Sequence, residues 1–316
     1  MSYAQNGLIE ATDFNALVGG NPVTTSGKLN TVWATGGTNA GYGQTAEANV
    51  AVGATVAATS WANLINKTSN AASHQGSSIT SISAPVSGGT VTYLSAIPTN
   101  LTTIYTGRLN AATQGATTSN TATYGSTWAA GLTFTHTVTF ASGDAARYFF
   151  NAGGQLKVTC SHPTGTGINL LFNNLASNVG TIAMSSPTSG AVTIAGTSYN
   201  GITKVGGGGN APTISTNSGY YAMTTANTTL FTQTASTGPS GYLSTFIRVI
   251  AKSNGTQGSN GDAGSVITIY TIWDEVPDGM TVATGSATTV TVAAPETTYL
   301  ANTWGTITVS GTVSGS

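Results

Sequence analysis

The spacing of apolar positions changes near residue 112. Before it, apolar residues recur at helical intervals. Thr12 is placed to cap a short helix over Asp13–Val18, and Gly19-Gly20 stops it. Lys28–Trp33 predicts a further turn. Trp61, Leu64, Ile65, Thr68, Ala71 and Ala72 fall on one helical face behind Thr59, and Gly76 ends that run. Leu101, Ile104, Tyr105 and Leu109 mark a third helix over Pro98–Ala111, with proline in its first turn.

Beyond a Thr/Ala/Ser/Asn stretch at 112–127, which reads as a linker, the period drops to two. Leu132, Phe134, His136, Val138 and Phe140 alternate with threonines, so this run is a strand with one buried face. A short helix over Ala145–Phe150 ends at Asn151-Ala152-Gly153-Gly154, where a tight turn calls for a glycine with positive φ. Gln155–Ser161 reads as a strand and Ile168–Leu175 as a helix. Further strands are expected at Ala191–Ala195, Leu230–Thr234, Tyr242–Lys252, Ser265–Trp273, Thr288–Val292 and Thr306–Val309. Gly206–Gly209 reads as loop, and no fixed-period repeat is present.

These patterns predict a mainly β, α+β fold in three parts. A helical and loop-rich anchoring region covers 1–112, a β-sandwich-like domain with short helices covers 113–276, and a β tail covers 277–316.

Composition narrows the function classes. Charged residues are 5% of the 316 positions, against about 25% in ordinary globular chains. Thr (59) and Ser (32) supply most of the polarity, and net charge is −1. Eight scattered cations make no basic stripe, so phosphate-neutralising nucleic-acid binding is excluded. Charge-driven disorder and coiled coils are excluded on the same arithmetic. A chain so close to neutral has little self-repulsion and favours association, which predicts life inside an assembly. The lone Cys160 forms no intrachain disulfide. The opening Met1–Gly7 lacks the basic and apolar regions of a secretory signal, and no apolar run approaches a membrane span of about 20 residues.

Catalytic patterns fail one by one. Asp274, Glu275 and Asp278 form the one acidic cluster, and it reads as a solvated turn before Gly279. Cys160 and His162 share a strand face, but a zinc site needs about four N/S ligands and only His74 and His136 remain. No Gly-x-Ser-x-Gly elbow is present, and neither Gly88-Gly89 nor Gly206–Gly209 runs into a phosphate-loop Lys-Ser/Thr. Trp33, Trp61, Trp128, Trp273 and Trp304 are spread over all three parts and read as core anchors. No catalytic residue, metal ligand or cofactor is assigned.

Three segments carry a resemblance. The first is Ala4–Asn15 followed by the run Leu29–Gln44, which contains Thr35-Gly36-Gly37-Thr38-Asn39-Ala40 and ends Gly41-Tyr42-Gly43-Gln44. The second is Ala145-Ala146-Arg147-Tyr148-Phe149-Phe150-Asn151-Ala152-Gly153-Gly154-Gln155-Leu156, and the third is Ser265–Asp274. In this order they resemble virion structural proteins of tailed bacteriophages, of the marine and cyanophage kind. The resemblance implies a non-enzymatic tail, neck or fibre component, made in the host cytoplasm and located in the virion. It implies other virion proteins as partners and a homo-oligomer, a trimer or hexamer, since closed cyclic symmetry is usual. No nucleic acid or membrane insertion is expected.

Two alternatives stay open: a receptor-binding fibre protein that contacts host-surface glycan, and a capsid decoration protein. A depolymerase would need a carboxylate pair among Asp144, Asp262 and Asp274. The glycine run is too long for a turn and reads as a docking loop ordered against a partner subunit. Phe14, Trp33, Tyr42 and Gln44 are the expected assembly contacts.

Overall fold

The structure is a computed structural model that describes residues 10–87, 95–187 and 190–315. Ala4–Ile9 of the first resembling segment and Gly88-Gly89 lie outside the described residues.

Four helices lead the chain: α1 (Ala11–Val18), α2 (Leu29–Val32), α3 (Ala58–Gln75) and α4 (Ala96–Thr106). Two strands, β1 (Gln114–Thr123) and β2 (Gly131–Thr139), are followed by α5 (Gly143–Asn151), β3 (Gln155–Ser161) and α6 (Ile168–Val179). Short strands come next: β4 (Thr181–Met184), β5 (Val192–Ile194), β6 (Thr197–Tyr199), β7 (Ile202–Val205) and β8 (Thr213–Ile214). After a 3-10 turn at Tyr220–Ala222, the long strands β9 (Thr228–Thr234), β10 (Phe246–Ser253), β11 (Val266–Asp274), β12 (Ala287–Pro295) and β13 (Thr308–Gly315) complete the chain. The expected mainly β, α+β class is the class found.

The strands form two antiparallel sheets and a hairpin. One sheet runs β1-β12-β3-β4-β7, the other β13-β2-β11-β10-β9-β8, and β5-β6 stands apart. Alternation decides the inner faces. Leu132, Phe134, His136 and Val138 of β2 look inward, as do Ile267, Ile269, Thr271 and Trp273 of β11. Opposite them lie Val290 and Val292 of β12 and Leu156 and Val158 of β3. The layers touch through Trp273, whose Nε1 donates to Thr288 Oγ1 at 3.3 Å. Helix α6 fills one end of the sandwich: Phe172 lies 4.7 Å from the Trp128 ring and 5.9 Å from that of Trp273.

The helical part continues this core. Phe14 of α1 meets Trp61 of α3 edge-on at 5.2 Å. One cluster of buried apolar side chains runs from Phe14 through the sheets to Trp304. Helix α3 buries the predicted face and stops at Gly76, which takes the left-handed conformation (φ 70°, ψ 23°).

Three expectations are corrected. The stretch 112–127 is no simple linker, because residues 114–123 form β1, paired with β12 from Thr123↔Ala287 to Gln114↔Pro295. Its large-residue signal is missing because it is an edge strand that buries only Ala122. The segment beyond 277 is no tail: β12 is an inner strand of one sheet and β13 extends the other along β2. The third helix ends at Thr106 and not at Ala111, since Gly107 caps it and Ala111 bridges to Ile194.

Candidate functional site

The glycine run and α5 build the densest polar constellation. Ser142 caps α5 by accepting from the Ala145 N–H at 3.0 Å. That start sets Arg147, Tyr148 and Asn151 toward residues 35–43. The Arg147 guanidinium is fully buried. Its Nη1 donates to Thr35 O at 2.9 Å and to Ala40 O at 2.8 Å. Its Nη2 and Nε donate to Asp144 Oδ1 at 2.9 and 3.2 Å. Asn151 Nδ2 reaches Gly41 O at 3.0 Å, and the Tyr221 hydroxyl reaches Thr38 O at 2.8 Å. Arg108 holds Asn39 through two hydrogen bonds, at 2.8 Å to its carbonyl and 2.9 Å to its side-chain oxygen.

A folded-in loop needs a donor for each buried carbonyl, and this cluster supplies them. The backbones approach so closely that side chains are excluded. A Cβ on Gly41 (φ 96°) would sit 2.2 Å from Thr35 O, and one on Gly43 2.4 Å from the Tyr148 ring. The first two resembling segments are therefore one interlock within a single chain.

This places the four expected assembly contacts. Phe14 and Tyr42 are fully buried, and Trp33 and Gln44 nearly so. Trp33 Nε1 donates to Thr45 O at 3.1 Å. The Tyr42 hydroxyl accepts from Gln75 Nε2 at 2.8 Å, and burial pushes its pKa up. Gln44 Nε2 donates to Ala301 O at 2.8 Å, and its Oε1 accepts from Ala301 N at 2.9 Å. The structure brings Trp33, Tyr42 and Gln44 together but spends them on the chain's own core. The expectation that the four dock a partner is corrected, because each is buried within this chain.

The candidate chemistry of the titratable groups disperses. Glu275 is fully buried and accepts from the N–H groups of Gly279 (3.3 Å) and Met280 (3.1 Å). Asp274 points to the opposite, outer side of β11, where burial first and Asp278 second push its pKa up against the pull of Arg248. Asp144 is tied to Arg147, while Asp262 packs against Gly143. Asp274 ends β11, whereas Asp262 precedes that strand and lies beside Gly143, next to Asp144, whose carboxylate is engaged by Arg147. His162 is held by Ser286 Oγ at 2.9 Å and Asn169 Oδ1 at 3.4 Å. Burial pushes the Cys160 thiol up to about 12, and its neighbour is Thr288 Oγ1 at 3.9 Å. Among the described residues no three metal-ligating side chains converge. No helix there is long and apolar enough to cross a membrane.

A second candidate is the half-buried outer face of the six-stranded sheet. Register places Phe246, Arg248, Ile250 and Lys252 of β10 beside Tyr270 and Ile272 of β11. Arg248 stacks over Phe246 at 4.4 Å and Lys252 lies 5.8 Å from the Tyr270 ring. Six of the eight cations are hydrogen-bonded within the chain. The Arg248 and Lys252 side chains have no hydrogen bond or salt bridge among the described residues. Sequence reasoning missed this face because its two cations are four residues apart and converge only through strand alternation. A cavity of about 300 Å³ between α3, α4 and residues 77–82 is lined by Ile65, Ala72, Ile79, Ile97 and serine or threonine side chains. Among the described residues that line it there is no titratable group.

No family model, no curated protein and no solved structure matches this chain.

Proposed function

We propose that the chain is a non-enzymatic structural subunit of a tailed-phage virion, a tail, neck or fibre component that self-associates and works by surface complementarity. One observation carries this reading. The glycine run and the Arg147–Gly154 segment, which carry the resemblance to virion proteins by their order and co-occurrence, are hydrogen-bonded halves of one interlock. Their co-occurrence thus has a structural reason. The near-neutral, hydroxyl-rich surface supports the same reading, because such a surface permits close packing of copies without repulsion.

The test is to count the chain in purified particles. Quantitative peptide mass spectrometry with immunogold labelling is expected to find six to a few dozen copies at the tail or neck, the count expected for rings and fibres. Hundreds of copies over the head would replace the tail reading with decoration. Absence from the particle would end the virion reading.

A second reading rests on the outer face of β10 and β11. Tyr270 and Phe246 offer ring surfaces, Lys252 offers a cation without an acidic partner, and Arg248 is shared with Asp274, a combination suited to an acidic glycan. Glycan-array binding that is lost in Tyr270→Ala and Arg248→Ala would favour a receptor-binding protein. Binding that survives both changes would remove it.

A further inference from the structure

We infer that β13 is a self-association seam, where a second copy of this chain adds its own β13 antiparallel and joins two six-stranded sheets into one. The inference rests on the reading of the chain as a self-associating subunit and names the surface involved.

Strand β13 is the edge of its sheet, paired on one side with β2 in an unbroken register from Thr308↔Thr139 to Gly315↔Leu132. An edge strand presents a row of backbone donors and acceptors that template another strand. Natural edges are usually blunted by lysine, proline, a bulge or a covering element. Thr-Val-Ser-Gly-Thr-Val-Ser-Gly contains no charged residue and no proline, and its pairing has no bulge. Thr308, Ser310, Thr312 and Ser314 are exposed on the outer face, while β1 approaches β13 from the inner side without pairing with it.

The sequence of β13 is complementary to itself. Antiparallel neighbours related by a two-fold axis keep inner residues inward only if paired positions share parity. Centring the axis on Gly311 satisfies this and overlaps Thr308–Ser314. It sets Val309 against Val313 of the second copy, Gly311 against Gly311, Thr308 against Ser314 and Ser310 against Thr312. Val309 and Val313 are only half-buried against the core in one chain, and the added strand would complete their burial. The hydroxyl pairs repeat a contact the protein already makes, since Ser119–Thr291 and Thr121–Thr289 bond across β1 and β12 at 2.8 and 2.7 Å.

Charge matching favours a second copy. The flanking outer-face residues of β2 are Thr133, Thr135, Thr137 and Thr139, so neutral surface meets neutral surface. The edge of the other sheet, β1, lies on the same side, because Gly311 packs against Asn120 and Gly315 against Tyr124. Strand β1 also carries no charge and no proline. Three such two-fold pairs around a three-fold axis give a hexamer.

The test uses the full chain with Cys160→Ala as background. Thr308→Cys and Ser314→Cys variants are mixed and oxidised, with light scattering run alongside on the wild type. Cross-linked dimer is expected in the mixture and not from either variant alone, because like positions lie about 20 Å apart across the axis. Ser310→Lys/Thr312→Lys is expected to weaken association at least about tenfold, since lysines then face each other across the edge. Both positions are exposed, so at dilutions where the wild type is monomeric the two melting temperatures should agree, and the wild type should gain on the variant as concentration rises.

A wild-type chain that is monomeric at every concentration reached would overturn the seam. So would an oligomer that ignores the double lysine change and gives no selective cross-link. An oligomer broken by the lysines but cross-linked through another pair would overturn the Gly311 register. These readouts come from purified chain, so absence from the particle would end the virion reading while leaving the seam to stand or fall here.

Discussion

The interlock around Arg147 and the β1/β13 side of the sandwich are both dense in polar groups, yet they are built by opposite rules. In the interlock nearly every buried carbonyl has a charged or amide donor, and Arg147 alone serves three acceptor groups. On the β1/β13 side, His136 is fully buried and its ring nitrogens make no well-formed hydrogen bond, with only the Asn120 backbone beside them. Asn120 Oδ1 beside it is likewise unpartnered. Buried polar groups without partners cost about 1–3 kcal/mol each, whereas a satisfied network fixes one conformation. The difference teaches where this chain is locked and where it is open. The loop's carbonyls are mostly engaged within the chain, and the β1 and β13 edges carry no charge or proline.

The largest break in that comparison is Arg147→Met. It strips the donors from Thr35 O and Ala40 O and leaves Asp144 without its cation. Urea denaturation is expected to show a loss of about 2–4 kcal/mol, chiefly from the two carbonyls left without a donor, since Asp144 is partly exposed. Amide exchange should rise first at residues 35–44. Loss below 1 kcal/mol would mean that the glycine run is held by its own backbone.

Acid is the next lever. His74 is buried, with Nε2 3.0 Å from Ala152 O, and its pKa is lowered from 6.5 to about 4, chiefly by burial. The unfolded chain therefore binds the extra proton first. Stability should fall as pH drops from about 6.5 to about 4, by up to roughly 3 kcal/mol, and level off below. Burial lowers the pKa of His136 as well, which adds in the same direction. Melts of His74→Gln against wild type should show a shallower slope over that window. An unchanged slope would assign the acid sensitivity elsewhere.

Gly311→Ala probes the open side. The added Cβ would stand 2.4 Å from Asn120 Oδ1 and 2.7 Å from the His136 ring. Overpacking there is expected to cost about 1–3 kcal/mol and to loosen β13. A melt within 0.5 kcal/mol of wild type, on the scale of about ±0.5 for neutral surface changes, would show that the two side chains can move aside.

Ser119→Ala is the smallest change. It removes an exposed hydroxyl pair with Thr291, and a loss of under about 0.5 kcal/mol is expected by thermal unfolding. A larger loss would mean that the β1/β12 hydroxyl ladder is part of the lock.

The sequence by itself determined much of the local structure. Helical spacing placed α3 and its Gly76 stop, and strict alternation placed β2 and the inward parity of His136. The tight turn after α5 was legible too, since Gly153 adopts φ 85°. These features follow from neighbours a few residues apart, where backbone sterics and side-chain period act directly. Strand β1 was not legible, because a threonine-rich edge buries too little to leave an apolar pattern. Nor could spacing show that residues 35–44 close onto α5, or that Gln44 bonds to Ala301. A loop's carbonyls look alike in sequence whether their donors come from a partner, from solvent or from a helix a hundred residues on. Only the tertiary structure decides which donor arrives, because long-range pairing is set by the packing of the whole core rather than by local propensity.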